Sequence, residues 1–276
     1  MDVRAPDFPV DEGPLLWSRT PEFAMAYNAY SVVIPYVEYY LNSILNKVRS
    51  EACADKPALK EELGLFIKQE INHSRYHVRF NQRMFDEQIE GLKPLVERVT
   101  ADLKKFRETR SLAFNVAYCA GFESIATFDA LRLHTACDDL FAGGDPRSAN
   151  LILWHVAEEF EHRATCHEAF AAVSGNYFLR IYGLVFAFIH VGSAFLESER
   201  LVFAHYLKQM TPEQRQRAQA QQQKLFRRQM LFLAPRMLQI FLPFYNPARV
   251  RMPERIRKAL NFFGSKLPIA TQPHAA

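Results

Sequence analysis

Two four-residue stretches, Glu70–His73 (EINH) and Glu159–His162 (EFEH), decide the fold of this chain. Both have the form Glu-x-x-His, and both lie in segments whose apolar spacing predicts helix. Because Glu and His three residues apart project from one helix face, about 60° apart around the axis, each pair can approach the same metal ion or two adjacent ones.

A lone carboxylate precedes each of these motifs, Glu38 before the first and Glu123 before the second. Each sits in an otherwise apolar stretch with no basic residue within a helical turn, and a buried carboxylate without a partner is costly. We therefore expect each to bind a cation; the alternative is that it faces solvent or pairs with a distant arginine. The order Glu, Glu-x-x-His, Glu, Glu-x-x-His is that of a two-metal centre inside a four-helix bundle.

The composition also predicts an all-α fold. Glycine is scarce, with 10 among 276 residues, hydrophobic residues make up 49% of the chain, and strand-like alternation is nearly missing. We expect an irregular arm over 1–20, one helical domain over 21–265 and a loose tail over 266–276. Within that domain we expect the metal-binding bundle at about 21–175 and additional C-terminal helices at about 177–264.

Proline, glycine and capping residues give approximate helix bounds. Helix 1 is predicted over 21–48 with a kink or restart at Pro35, and a polar connector near 90–98 is left as a possible helix. The second predicted helix begins at Pro57. Further helices are predicted over about 107–141, 147–173, 177–208, 212–242 and 253–264.

Seven side chains are candidate metal ligands: Glu38, Glu70, His73, Glu123, His155, Glu159 and His162. His155 is included because it lies within about 40° of Glu159 and about 20° of His162 on the helix; the alternative is a core histidine. Four carboxylates balance two divalent ions, and mixed oxygen and imidazole donors favour two iron ions, with manganese as the alternative.

Two further residues are candidates for catalytic roles. His77 lies one turn beyond His73 and is either an additional ligand or a partner of a ligand. Glu158 is either such a partner or a surface residue, whereas Glu161 is expected to be solvated.

Four cysteines without Cys-x-x-Cys spacing indicate reduced thiols in a cytoplasmic protein, and the acidic N-terminus is not a signal peptide. Apolar stretches at 181–196 and 230–244 are shorter than the ~20 residues of a membrane span, so we expect buried helices. Contact with a membrane surface is the less favoured alternative, a homodimer face is another, and no nucleic-acid partner is expected.

Residues 15–250 resemble the bacterial family described as predicted metal-dependent hydrolase. The resemblance is carried by the candidate ligands and above all by the phrase Trp-His-x-x-Glu-Glu-x-Glu-His at 154–162. Val37 and Glu168 depart from the family pattern, which has Gly and Asp there, and neither departure removes a ligand. The ligand set is also similar to that of the di-iron p-aminobenzoate N-oxygenases, which implies a ferritin-like bundle with two irons.

Three functions follow from this sequence. The first is a di-iron enzyme that activates dioxygen to oxidise a small or apolar substrate, with an unidentified electron donor. The second is a metal-dependent hydrolase in which Glu158 serves as the base. The third is an iron-binding bundle without enzymatic activity.

Overall fold

A computed structural model describes residues 1–264, in which the regular structure is entirely helical, confirming the all-α prediction. The helices are α1 (Pro21–Glu51), α2 (Pro57–Asp86), α3 (Leu92–Thr109), α4 (Leu112–Ala136), α5 (Asp138–Phe141), α6 (Pro146–His162), α7 (Thr165–Val173), α8 (Tyr177–Lys208), α9 (Pro212–Ile240) and α10 (Glu254–Gly264), with a 3₁₀ turn at Pro247–Arg249.

The core bundle is formed by α1, α2, α4 and the α6–α7 pair. Helix α1 packs along α2, while α4 packs against α6, α7 and α8. Helix α4 is apolar almost all round, as expected of a helix enclosed by others. The bundle therefore surrounds the segments that carry the predicted ligands.

Helix α1 runs unbroken from Pro21 to Glu51, so the restart at Pro35, one of the two predicted outcomes, does not occur. A proline inside a helix leaves the carbonyl four residues earlier without its amide donor. That carbonyl belongs to Ser31, and it accepts a hydrogen bond from Asn81 Nδ2 at 2.6 Å. A side chain of α2 thus replaces the donor that Pro35 lacks.

Two predicted helices prove to be divided, and the connector near 90–98 belongs to α3. The segment predicted over 107–141 begins only at Leu112, where Ser111 caps the first turn, and continues after a break as α5. The segment predicted over 147–173 breaks after His162. There the Arg163 side chain donates to the Phe160 carbonyl, which the Ala164 amide would use in a continuous helix.

The N-terminal arm, residues 1–20, contains no helix or strand, and it is packed into the protein. Phe8, Val10 and Trp17 are buried in the core formed by α1, α4, α6 and α10. We infer that the arm belongs to the same folding unit as the helices. The predicted loose tail at 266–276 lies outside the described residues.

Helices α8 and α9 cover α4 on the outside of the bundle. Arg180 near the start of α8 donates to the carbonyls of Ile240 and Leu242, and Glu199 near its end accepts from Gln222. The two helices therefore run antiparallel. In the described part of the chain, α8 is the one helix long and apolar enough to cross a membrane by length and composition. The four cysteines, Cys53, Cys119, Cys137 and Cys166, are buried as free thiols.

Candidate metal centre

The bundle brings all seven candidate ligands together in its core. They come from four helices: Glu38 from α1, Glu70 and His73 from α2, Glu123 from α4, and His155, Glu159 and His162 from α6. Each is buried, and none is more than 6% exposed. The surrounding protein therefore excludes bulk water from a cluster of four carboxyl and three imidazole groups.

The ligand atoms form two groups of four that share Glu159. One group contains Glu38, His73, His155 and Glu159, and the other contains Glu70, Glu123, Glu159 and His162. Within each group the candidate donor atoms all lie within 4.8 Å of one another. The carboxylate of Glu159 is therefore available to both groups.

Several donor atoms in this cluster lack a hydrogen-bond partner. They are Oε1 of Glu38, both carboxylate oxygens of Glu70 and Glu123, Oε2 of Glu159, and Nδ1 of His73 and His162. His162 Nδ1 and Glu70 Oε1 lie 2.9 Å apart, but this contact does not have the geometry of a hydrogen bond. Buried polar atoms nearly always have a hydrogen-bond partner. A concentration of oxygen and nitrogen atoms without one, all able to coordinate a metal, fits bound cations.

Electrostatics point the same way. Burial raises the pKa of Glu38 well above its ordinary value, and the nearby carboxyl group of Glu70 raises it further. Burial and the neighbouring Glu159 do the same to the pKa of Glu123. Glu38 and Glu123 therefore resist ionisation in this dry core unless cations balance their charge.

Two of the histidines are held so that Nδ1 faces the cluster. His73 Nε2 lies 2.9 Å from Glu158 Oε2, and His162 Nε2 lies 2.9 Å from Gln69 Oε1. Carboxylate and amide oxygens only accept hydrogen bonds, so in both neutral rings Nε2 carries the proton. The lone pair is therefore on Nδ1, the nitrogen that faces the carboxylates of the cluster.

A chain of hydrogen bonds fixes the third histidine. Ser31 Oγ donates to Asn81 Oδ1 and therefore accepts from His77 Nδ1 at 2.7 Å. His77 Nε2 is then the acceptor for His155 Nδ1, at 2.6 Å. This leaves the lone pair of His155 on Nε2, which lies 2.9 Å from Glu159 Oε1 and 3.3 Å from Glu38 Oε1.

Of the two residues predicted to be catalytic, neither belongs to the two groups of donors. Both ring nitrogens of His77 are engaged by Ser31 and His155, which makes it a partner of a ligand. Glu158 is buried, and its oxygens accept from His73 and, at 3.0 Å, from Arg4 Nη1. Its contacts place it behind His73, on the far side of the ring from the cluster.

The expectation that Glu161 is solvated is wrong, because the N-terminal arm folds over it. Arg4 Nη1 donates to Glu161 Oε2 at 2.7 Å, and Gln69 Nε2 donates to the same oxygen at 3.2 Å. The side chain of Glu161 is only 14% exposed. A pattern of residues on α6 alone cannot reveal a partner that arrives from 157 residues away.

Four residues have roles that were not predicted from the sequence: Arg4, Gln69, Ser31 and Asn81. One signal was present, since His73, His77 and Asn81 recur at four-residue spacing on one face of α2. No pattern marked Arg4, which lies in an irregular segment. Their roles are apparent only from contacts between different helices and between the arm and α6.

The family model described as "Predicted metal-dependent hydrolase" matches residues 2–250, and the chain belongs to this family. Neither the curated proteins nor the solved structures contain a match to the chain.

Proposed function

We propose that this member of the family is a metal-dependent hydrolase whose buried cluster holds two divalent metal ions. One observation carries the proposal: two groups of four donors share Glu159, and most of their atoms that face the cluster have no other partner. The family description supplies the reaction class.

The donors suit the proposed ions. Carboxylate oxygens and imidazole nitrogens favour iron or manganese, and none of the seven donors is a thiolate of the kind that softer metals prefer. Four carboxylates would also leave a cluster with two divalent ions electrically neutral. Such a cluster is the one that a dry core tolerates best.

Two divalent ions held by these seven side chains would supply Lewis acidity for the activation of water. The protein contributes orientation: Glu158, Gln69 and His77 hold the outer nitrogens of the three histidines, so each lone pair keeps its direction. In this proposal Glu158 and His77 are positioning residues. Burial raises the pKa of Glu158, whereas the contacts with His73 and Arg4 lower it, and the contacts prevail. The pKa therefore lies below the ordinary value, which disfavours Glu158 as a base.

Activation of dioxygen is the second candidate, and the closure of the site favours it. All seven donors are buried beneath packed helices. Dioxygen is small and apolar, so it enters a closed apolar core more readily than a polar ester or amide does. This candidate requires ferrous ions, a small or apolar substrate and an external electron donor.

Metal analysis with a matched variant tests the shared premise. Purified wild-type protein should contain two metal ions per chain, and Glu123→Gln should retain about one, because Glu123 occurs in only one donor group. Glu108→Gln, at an exposed position on α3, is the control and should retain two. A wild-type protein that binds no metal under any loading condition would refute the premise.

Anaerobic turnover then separates the two reactions. A hydrolase should cleave members of an ester, amide and phosphoester panel without oxygen or reductant, and Glu123→Gln should abolish this cleavage. If the reduced, iron-loaded protein consumes oxygen and hydrolyses no member of the panel, the hydrolase proposal is wrong and activation of dioxygen is the function. Iron binding without either activity would favour the non-enzymatic alternative.

A further inference from the structure

The expectation that the apolar stretch 181–196 forms a buried helix is wrong, because α8 presents a largely apolar face to the outside. The outer stripe consists of Phe178, Tyr182, Val185, Ile189 and Leu196, all exposed, with Phe178 79% and Ile189 63% accessible. Their spacing of three, four and seven residues places them on one side of the helix. Scattered apolar residues are common on protein surfaces, but several large exposed apolar side chains on one helix face indicate a contact.

The opposite side of α8 is committed to the bundle. A Cβ atom on Gly183 would lie 2.5 Å from the Ala117 carbonyl carbon of α4, so the two helices are in backbone contact there. Leu184, Ala187 and Val191 are buried on this same side. The outer stripe thus belongs to a helix that lies along the protein with one face free.

Helix α9 extends this surface and adds positive charge. It runs antiparallel to α8, and both helices pack their inner faces against α4, where Leu184 and Leu233 join one apolar cluster. The exposed Leu231 and Leu238 lie within about 80° of Arg217, Lys224 and Arg227 around the α9 axis. The outer face of α9 is therefore basic towards its start and apolar towards its end.

The segment that contains α9 carries an excess of positive charge. Residues 212–264 contain eleven Lys and Arg against two Asp and Glu. Arg217, Lys224 and Arg227 form no salt bridge with any residue in the described range 1–264. A second copy of the chain would bring like charges together on this face, whereas an anionic, apolar partner would complement both of its features.

We propose that the outer faces of α8 and α9 rest on an anionic lipid surface. The outer stripe, together with Leu231 and Leu238, enters the boundary between headgroups and acyl chains, and Arg217, Lys224 and Arg227 contact lipid phosphates. Helix α8 lies on the bilayer and does not cross it, because its other face remains packed on α4. This proposal is independent of the reaction at the metal centre.

Vesicle co-sedimentation of the full chain tests the proposal. The protein should sediment with vesicles containing phosphatidylglycerol and only weakly with phosphatidylcholine alone, and added salt should release it. Arg217→Gln/Lys224→Gln/Arg227→Gln should weaken binding by on the order of a hundredfold, at about fivefold for each basic residue. Ile189→Ser/Leu231→Ser should weaken binding to both kinds of vesicle.

The matched control is Lys47→Gln/Lys56→Gln/Lys60→Gln, which removes the same charge at the turn between α1 and α2. It should bind like the wild type, and all variants should keep the wild-type helix content and metal content. Failure of the wild type to sediment would overturn the proposal, as would equal losses in the control. So would a wild-type dimer that Ile189→Ser/Leu231→Ser dissociates, or binding to nucleic acid without binding to vesicles.

Discussion

At the residue scale, the direction of each histidine lone pair decides whether this cluster can bind metal. His73, His155 and His162 each have one nitrogen towards the carboxylates and the other held by a neighbour. A neutral imidazole carries one proton, so the outer partner determines which nitrogen is free. The outer partners are therefore as necessary to the proposed site as the ligands.

Removal of the Ser31 hydroxyl should weaken metal binding without removing a ligand. In Ser31→Ala, His77 loses the acceptor for Nδ1, and the ring is free to present a proton to His155. We expect affinity for one of the two ions to fall by on the order of tenfold to a hundredfold, as measured by competition with a chelator.

The control for Ser31→Ala lies on the same helix. Ser50 is exposed and donates only to the Lys47 carbonyl, so Ser50→Ala should bind both ions like the wild type. Equal affinities for Ser31→Ala and the wild type would contradict the role of the chain Ser31–His77–His155.

His134 should make the metal-free protein sensitive to acid. Burial lowers its pKa to about 4, and its Nε2 donates to the Leu153 carbonyl. The unfolded chain takes up this proton near pH 6.5, before the folded protein does, so the contribution to stability is complete above pH 6.5. It is lost as the pH falls towards 4, where the loss reaches about 3 kcal/mol.

His134→Gln keeps an N–H donor but cannot titrate. Denaturant unfolding of the two metal-free proteins at several pH values should give curves that converge as the pH falls from 6.5 to 4, because only the wild type loses this contribution. A constant difference between the two free energies of unfolding across that range would refute the assignment.

At the element scale, the close crossing of α4 and α8 sets the position of Glu123. A Cβ on Gly121 would lie 2.6 Å from Leu184 Cα, and one on Gly183 would meet Ala117 at a similar distance. These are backbone contacts, so a flexible side chain cannot relieve them. The two glycines allow α4 to approach α8, and α4 carries Glu123 two residues after Gly121.

Gly183→Ala should therefore destabilise the protein, whereas Gly192→Ala should not. Both positions lie within α8, but nothing lies within 4 Å of a Cβ built on Gly192. We expect Gly183→Ala to cost about 1–3 kcal/mol and to lower the metal content. Gly192→Ala should gain up to about 1 kcal/mol from helix propensity.

Denaturant unfolding of the metal-free proteins measures both changes, and metal analysis reports the effect on Glu123. A Gly183→Ala variant as stable as Gly192→Ala would show that α4 and α8 are not in contact as described.

At the scale of the whole molecule, the N-terminal arm joins distant parts of the chain behind the site. Arg4 donates to Glu158 and Glu161 of α6 and to the Leu260 carbonyl of α10. Its carbonyl accepts from Asn72 of α2. A segment without regular structure thus connects three helices and neutralises the carboxylate that orients His73.

Arg4→Gln should destabilise the protein far more than loss of an exposed ion pair of the same arm. Glu158 would remain buried without its cation, at a cost of about 3 kcal/mol, and metal affinity should fall because His73 loses a fixed partner. Arg79→Gln, which removes the exposed pair with Asp11, should cost less than about 1 kcal/mol.

Thermal unfolding, metal affinity and limited proteolysis of residues 1–20 distinguish these variants. Similar losses of stability and metal affinity in Arg4→Gln and Arg79→Gln would show that the contacts of Arg4 with Glu158 and Glu161 do not hold the arm in place.

The sequence by itself determined the helical class and indicated the seven candidate donors, because helical periodicity places Glu38, Glu70 and His73 on particular helix faces before any folding is considered. It also indicated that Glu123 needs a cation, because its neighbours in sequence offer none. Only the tertiary structure decided which donors form each group, that Glu159 belongs to both, and that Glu158 faces Arg4. Local spacing fixes directions within one helix, whereas distances between helices depend on packing, on crossings such as that at Gly183, and on an arm with no periodicity to interpret.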